Sequence, residues 1–312
     1  MNPAFSVVFL TTLLGAGQGL FLALFVVEVG VAGGAWASPA TGFYSWGSAV
    51  SVLLLGAGLL ASFFHLGHPE RAWRAAAMWR TSWLSREVIV LPAFMAIVAA
   101  YGWAHCQNHG MTLGLGIAGV VVCMLLFLCT AMIYACIKFL QEWATPLTII
   151  NFVVLGSASG VMLAAALAAV RGEPNAYGLG VAAIVLTLVG LVTRVASLYR
   201  NAQLTPRSNL QSAIGIKHPR IVQKAQGFMG GSFNTREFFH GRAPGTLRAV
   251  KWLFITGTFI LPLLLAGGGM DNGSAVLLVA AFIIQFLGLV AERWFFFAQA
   301  NHPQNLYYQA VS

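Results

Sequence analysis

The stretch MTLGLGIAGVVVCMLLFLCTAMIYACIK, residues Met111–Lys138, carries its only charge on its last residue. The hydrocarbon core of a bilayer takes about 20 apolar residues of helix, so this run is long enough to cross with tilt or to extend beyond the interface. Seven further runs of the same kind flank it: Phe5–Val27, Phe43–Leu66, Glu87–Trp103, Leu147–Val170, Tyr177–Leu198, Leu247–Ala266 and Ser274–Ala298. They predict an all-α integral membrane protein, a bundle of eight transmembrane helices forming a single membrane-anchor domain over residues 1–312. The third run is the shortest, and Pro92 near its start removes a backbone hydrogen bond, which predicts a kink.

Composition agrees. The chain is 59% apolar and 8% charged, with a mean hydropathy of +0.80. A soluble globular domain carries roughly 25% charged residues, because its surface needs them. The net charge of +9 does not predict nucleic-acid binding, since the basic residues lie in loops between apolar runs and no soluble basic domain exists. The first run has no positively charged segment before it, which predicts that it is retained rather than cleaved as a signal peptide. Of the four cysteines, Cys123, Cys129 and Cys136 lie within one apolar run and none forms a CxxC pair with another or with Cys106. No iron–sulfur cluster or structural zinc is expected in this chain.

The basic residues set the orientation. With a cytoplasmic N-terminus, the loops after the second, fourth and sixth runs and the C-terminal tail hold every Lys and Arg but one; Arg171 alone falls on the other side. Basic residues accumulate in cytoplasmic loops, so both termini are expected in the cytoplasm of a bacterial inner membrane. The one sizeable loop, residues 199–246, falls on that side. Its Phe228, Phe233, Phe238 and Phe239, with Arg236, read either as part of a solvated loop or as a docking surface for a soluble partner, since exposed Phe and Arg are typical of interfaces. Within the bilayer, Gly15, Gly17 and Gly19 surround Gln18 and predict close helix packing, with Gln18 and Gln285 bonding to neighbouring helices.

Ionisable residues at membrane depth mark function. The richest constellation joins the second and third runs: Phe64-His65-Leu66-Gly67-His68-Pro69-Glu70-Arg71, then Trp83-Leu84-Ser85-Arg86-Glu87. His65 closes an apolar run, and an imidazole exchanges protons near neutrality. With Glu87 at the same interface, it suits hydrogen bonding to a quinone carbonyl and proton relay to water. The plainer readings are that His65 complements the C-terminal end of its helix, that Ser85 is an N-cap with Glu87 in the first turn, and that Arg71, Arg74 and Arg80 signal topology only. No helix carries a His in its middle, which argues against haem. No inverted repeat stands out, and the midplane looks uncharged, which argues against a transporter.

The stretch Phe64–Pro69 with Arg71-Ala72, followed by Ser82–Glu87, resembles the DmsC-type membrane anchors of dimethyl sulfoxide reductase-like molybdoenzymes, and the resemblance extends over nearly the whole chain. Residues Gly230–His240, with Glu292–Phe296 and His302–Tyr308, resemble the SoeC-type subgroup, the anchors of sulfite dehydrogenase complexes. The resemblance implies two partner subunits: a molybdopterin catalytic subunit and a ferredoxin-like iron–sulfur subunit. It implies an anchor that exchanges electrons with a bound quinone, menaquinone or ubiquinone. In that reading His65 and Glu87 handle the quinone and its protons, Arg71 and Arg86 support them or dock the partner, and Tyr134 and Lys138 join them from the end of the fourth run. A cytoplasmic site implies sulfite oxidation inside the cell and reduction of the quinone. The alternative direction is quinol oxidation for a dimethyl sulfoxide or polysulfide reductase; a transporter or a scaffold without a quinone site lies outside the resemblance.

Overall fold

A computed structural model of the chain describes residues 1–64, 66–108, 110–222, 224, 240–303 and 305. Among these residues all regular structure is helical, and eight helices are long and apolar enough to cross a membrane. They are α1 Phe5–Ala32, α2 Phe43–Phe63, α3 Trp83–Cys106, α4 Thr112–Ala135, α5 Pro146–Val170 and α6 Ala176–Ala202, then, after a short α7 Leu210–Ile214 in the long loop, α8 Pro244–Asp271 and α9 Ala275–Ala298. Helices are the natural answer to a solvent without hydrogen-bonding groups, because each satisfies its backbone internally.

The expected helices are present with shifted ends. α3 begins at Trp83, four residues before the expected start, because the Ser82 side chain caps it by accepting a hydrogen bond from the Ser85 N–H at 3.3 Å. Ser82, not Ser85, is therefore the N-cap, and Glu87 lies beyond the first turn. α4 stops at Ala135, before Lys138. α8 is longer than expected and passes through one π-helical segment, Thr256–Ile260. Pro262 follows within two residues and has no N–H to complete the regular ladder, a recognised cause of such bulges.

α1 is the hub. It packs against α2 and α5 along most of its length and also touches α4 and α9. Its contact with α5 is nearly backbone on backbone: a Cβ added to Gly160 would sit 2.1 Å from Gly19 C and Leu20 N, and one added to Gly15 would sit 3.1 Å from Gly156 Cα. Gly17 meets α2, where the Ser51 hydroxyl donates to the Gly17 carbonyl at 2.8 Å. Gln18 donates to the Cys123 carbonyl on α4 at 3.0 Å, and Gln285 donates to Thr187 Oγ1 on α6 at 2.9 Å. The small-residue packing and the two bridging glutamines expected from the sequence are both present. Between α2 and α3 runs a 3-10 helix, Pro69–Met78, with no buried residue.

The contact predicts a sharp sensitivity. Gly160→Val should destabilise the folded chain by roughly 3 kcal/mol or more through overpacking, whereas Gly114→Ala, whose Cβ would meet nothing within 4 Å, should be neutral. Thermal unfolding of the detergent-solubilised protein, followed by loss of monodisperse material, checks the difference.

Candidate functional site

Glu87 projects from α3 into the bundle and is buried, 5% exposed. The Thr130 hydroxyl on α4 donates to its Oε1 at 2.5 Å. A short hydrogen bond to a carboxyl group in a low-dielectric setting fixes the rotamer and orients the remaining lone pairs. One turn further along α4, Tyr134 enters an aromatic box. It stacks on Phe152 with ring centroids 5.7 Å apart and meets Trp143, Phe296 and Phe297 edge-on at 5.2–5.6 Å. Tyr134 is thus brought to the same end of the bundle as Glu87, one turn of α4 beyond Thr130.

The two arginines of the motif do other work. Arg86 lies over the Trp83 ring at 4.2 Å and donates from Nε to the Trp79 carbonyl at 2.9 Å and from Nη2 to the Arg80 carbonyl at 2.8 Å. It ties the residues after the 3-10 helix to the start of α3, and so sets where α3 begins. Arg71 is exposed and pairs with Glu70 at 3.7 Å, which His68 also contacts at 3.1 Å. This surface pair does not converge on Glu87. His65, and Phe228, Phe233, Arg236, Phe238 and Phe239 of the expected docking surface, lie outside the described residues. Phe64, the residue before His65, closes an apolar groove of about 360 Å³ between α1 and α2, lined by Phe9, Leu13, Ala57, Leu60 and Ala61.

Two further polar clusters are buried. At the opposite end, Glu28 of α1 accepts from the Tyr101 hydroxyl at 2.7 Å, with His105 Nε2 3.5 Å from its other oxygen and the Tyr44 ring stacked on His105 at 4.1 Å. At the Glu87 end, Arg194 of α6 and Glu292 of α9 meet at 2.7 Å, and Arg293 approaches Glu292 at 3.5 Å. All three are at most 4% exposed. Sequence reasoning counted Arg194 and Arg293 as topology signals; they are interior ion-pair partners instead. It also passed over Glu28 and Thr130. A charged residue inside a predicted span was the available signal for Arg194, Glu292 and Arg293, and for Glu28 just past the end of its run; nothing in the sequence marks Thr130, which only the α3–α4 packing pairs with Glu87.

An all-helical membrane bundle with a buried carboxyl group at one end is the frame of a membrane anchor, and the chain belongs to the family of DMSO reductase anchor subunits (DmsC), which it matches over residues 1–298. It is accordingly an integral membrane anchor subunit of a multi-subunit oxidoreductase. It is 55% identical to a sulfite dehydrogenase subunit of Allochromatium vinosum over 325 aligned positions, covering 100% of both chains. The family and subgroup resemblances read from the helix 2–3 motif and the late segments are both borne out.

The Thr130–Glu87 bond predicts a measurable coupling. Thr130→Val should cost about 1–3 kcal/mol by leaving a buried carboxyl oxygen without its donor. In a double-mutant cycle with Glu87→Ala, most of that cost should vanish. Chemical denaturation of the four proteins in detergent gives the coupling energy.

Proposed function

We propose that this chain is the quinone-reducing anchor of a sulfite dehydrogenase complex in the bacterial inner membrane. The observation that carries the reading is Glu87, a carboxyl group buried one to two turns inside α3 and held by Thr130. Buried ionisable groups in spans are costly and tend to be functional. In the reading drawn from the motif, the imidazole of His65 bonds a ring oxygen. The groove ending at Phe64 is apolar and faces lipid, a suitable surface for a lipid-soluble ring and tail.

In this reading sulfite is oxidised by a molybdopterin subunit, and an iron–sulfur subunit carries the two electrons to the anchor. One quinone takes up both electrons and two protons and leaves as quinol. Electron transfer falls steeply with distance, so the soluble subunits dock on the face where Glu87 lies. α6 ends, at Ala202, and α8 begins, at Pro244, at that end of the bundle. The name of the 55%-identical relative supports the oxidative direction. The loops rich in Lys and Arg support a cytoplasmic location for that face and for both termini.

Glu87→Gln keeps an acceptor for the Thr130 hydroxyl and should leave the fold intact. In the assembled complex it should lower sulfite-dependent quinone reduction at least tenfold, with sulfite oxidation by a water-soluble artificial acceptor unchanged. Unchanged quinone reduction would refute the site.

Orientation is testable with native cysteines. Cys106 and Cys136 are exposed at opposite ends of the bundle, while Cys123 and Cys129 are buried. A membrane-impermeant maleimide should label Cys106 in intact spheroplasts and Cys136 in inverted vesicles. The reverse pattern would turn the topology over.

A further inference from the structure

Arg194, Glu292 and Arg293 carry two positive charges and one negative at membrane depth, which leaves one positive charge in excess. Among the described residues no further acidic side chain pairs with it: Arg194 Nη1 donates to Ser197 Oγ at 3.4 Å, Arg194 Nη2 has no hydrogen-bond partner, and the guanidinium of each arginine otherwise faces a ring, Arg194 over Phe254 at 5.5 Å and Arg293 over Phe152 at 3.8 Å. Of the eight acidic residues in the chain, only Glu237 lies outside the described residues. Isolated charge in a low-dielectric interior is expensive, and ionisable groups at membrane depth tend to mark function.

The cluster reaches toward Glu87 through a short relay of packed groups. Arg293 lies on one ring, Phe152, and Tyr134 stacks on that same ring. Thr130, one turn away on α4, bonds Glu87. Tyr134 thus lies one turn of α4 from Thr130 and against the same ring as Arg293. Every side chain on this line is buried, so water does not screen the field.

We propose that Arg194, Glu292 and Arg293 form a fixed positive charge that acts across Tyr134 on the site at Glu87 and favours the negatively charged, reduced form of the ring bound there. The inference rests on the quinone reading of that site. The three residues are positioning residues: they touch neither ring nor Glu87, and their effect is on charge alone.

The test uses the intact complex and two alkylated naphthoquinone analogues, a 2-hydroxy form measured where its hydroxyl is ionised and its neutral 2-methoxy counterpart. Arg293→Gln should weaken binding of the anionic analogue about tenfold, the order expected for loss of one buried charge at an effective dielectric near 20, and leave the neutral one unchanged. Glu292→Gln should strengthen the anionic analogue. The double variant restores the net charge and should restore wild-type affinity, and Arg293→Lys should behave as wild type. Parallel changes in both analogues, or single variants shifting the same way, would show a merely structural cluster and overturn the proposal. Stronger anionic binding in Glu237→Gln would place the counter-charge in the loop and overturn it too. Failure of the underlying site is distinct: Glu87→Gln would then bind both analogues as tightly as wild type.

Discussion

At Gly19 and Gly160 the backbones of α1 and α5 approach so closely that neither position has room for a methyl group. In water such a contact would be one of many; in lipid it carries more weight. Hydrocarbon tails are as apolar as leucine, so helices gain little from hiding apolar side chains, and association depends on dense packing and interhelical hydrogen bonds. With α1 seated on α5, its other faces are committed: Gly17 to α2, Gln18 and Phe21 to α4. The placement of α3 against α2 and α4, and so of Glu87 against Thr130, follows from that seat.

The same solvent argument explains why each polar side chain in the interior is informative. Gln18, Ser51 and Gln285 each reach a backbone carbonyl or hydroxyl on another helix and serve as fasteners. Glu28 is tied by Tyr101 and His105 at one end, and Glu292 by two arginines at the other. Glu87 differs in having a single neutral donor among its described contacts. A change of charge on this carboxyl group dismantles no salt bridge, as the proposed proton exchange requires.

The bundle itself was legible from hydropathy, because 20-residue apolar runs have few other uses. Helix ends were less so: the choice between Ser82 and Ser85 as cap depends on backbone geometry that either serine could serve, and the π segment of α8, just before Pro262, lies where Gly257 packs against Gly288 of α9. Glu87 was legible as a candidate from its motif, but its partner Thr130 was not, since the pairing crosses 43 residues of chain. Arg194 and Arg293 were misread for a physical reason. The positive-inside rule counts charges near span ends and does not ask whether they point to water, and these two point to Glu292.

Between the buried groups at the two ends of α3 lie Leu91, Phe94 and Val98, with Phe21 of α1 set edge-on against Phe94 at 5.4 Å. None of these four side chains offers a polar atom, and the polar groups near them, Gln18 and Ser51, are neutral and hydrogen-bonded. Electrically the layer is a dielectric, and most of a membrane voltage must fall across it rather than across the polar ends. A charge carried from the nearer end of the bundle to Glu87 would cross little of that voltage. The bundle is built as an insulator whose buried charges, Glu28 and Glu173 at one end and Glu87, Arg194, Glu292 and Arg293 at the other, are kept out of its middle.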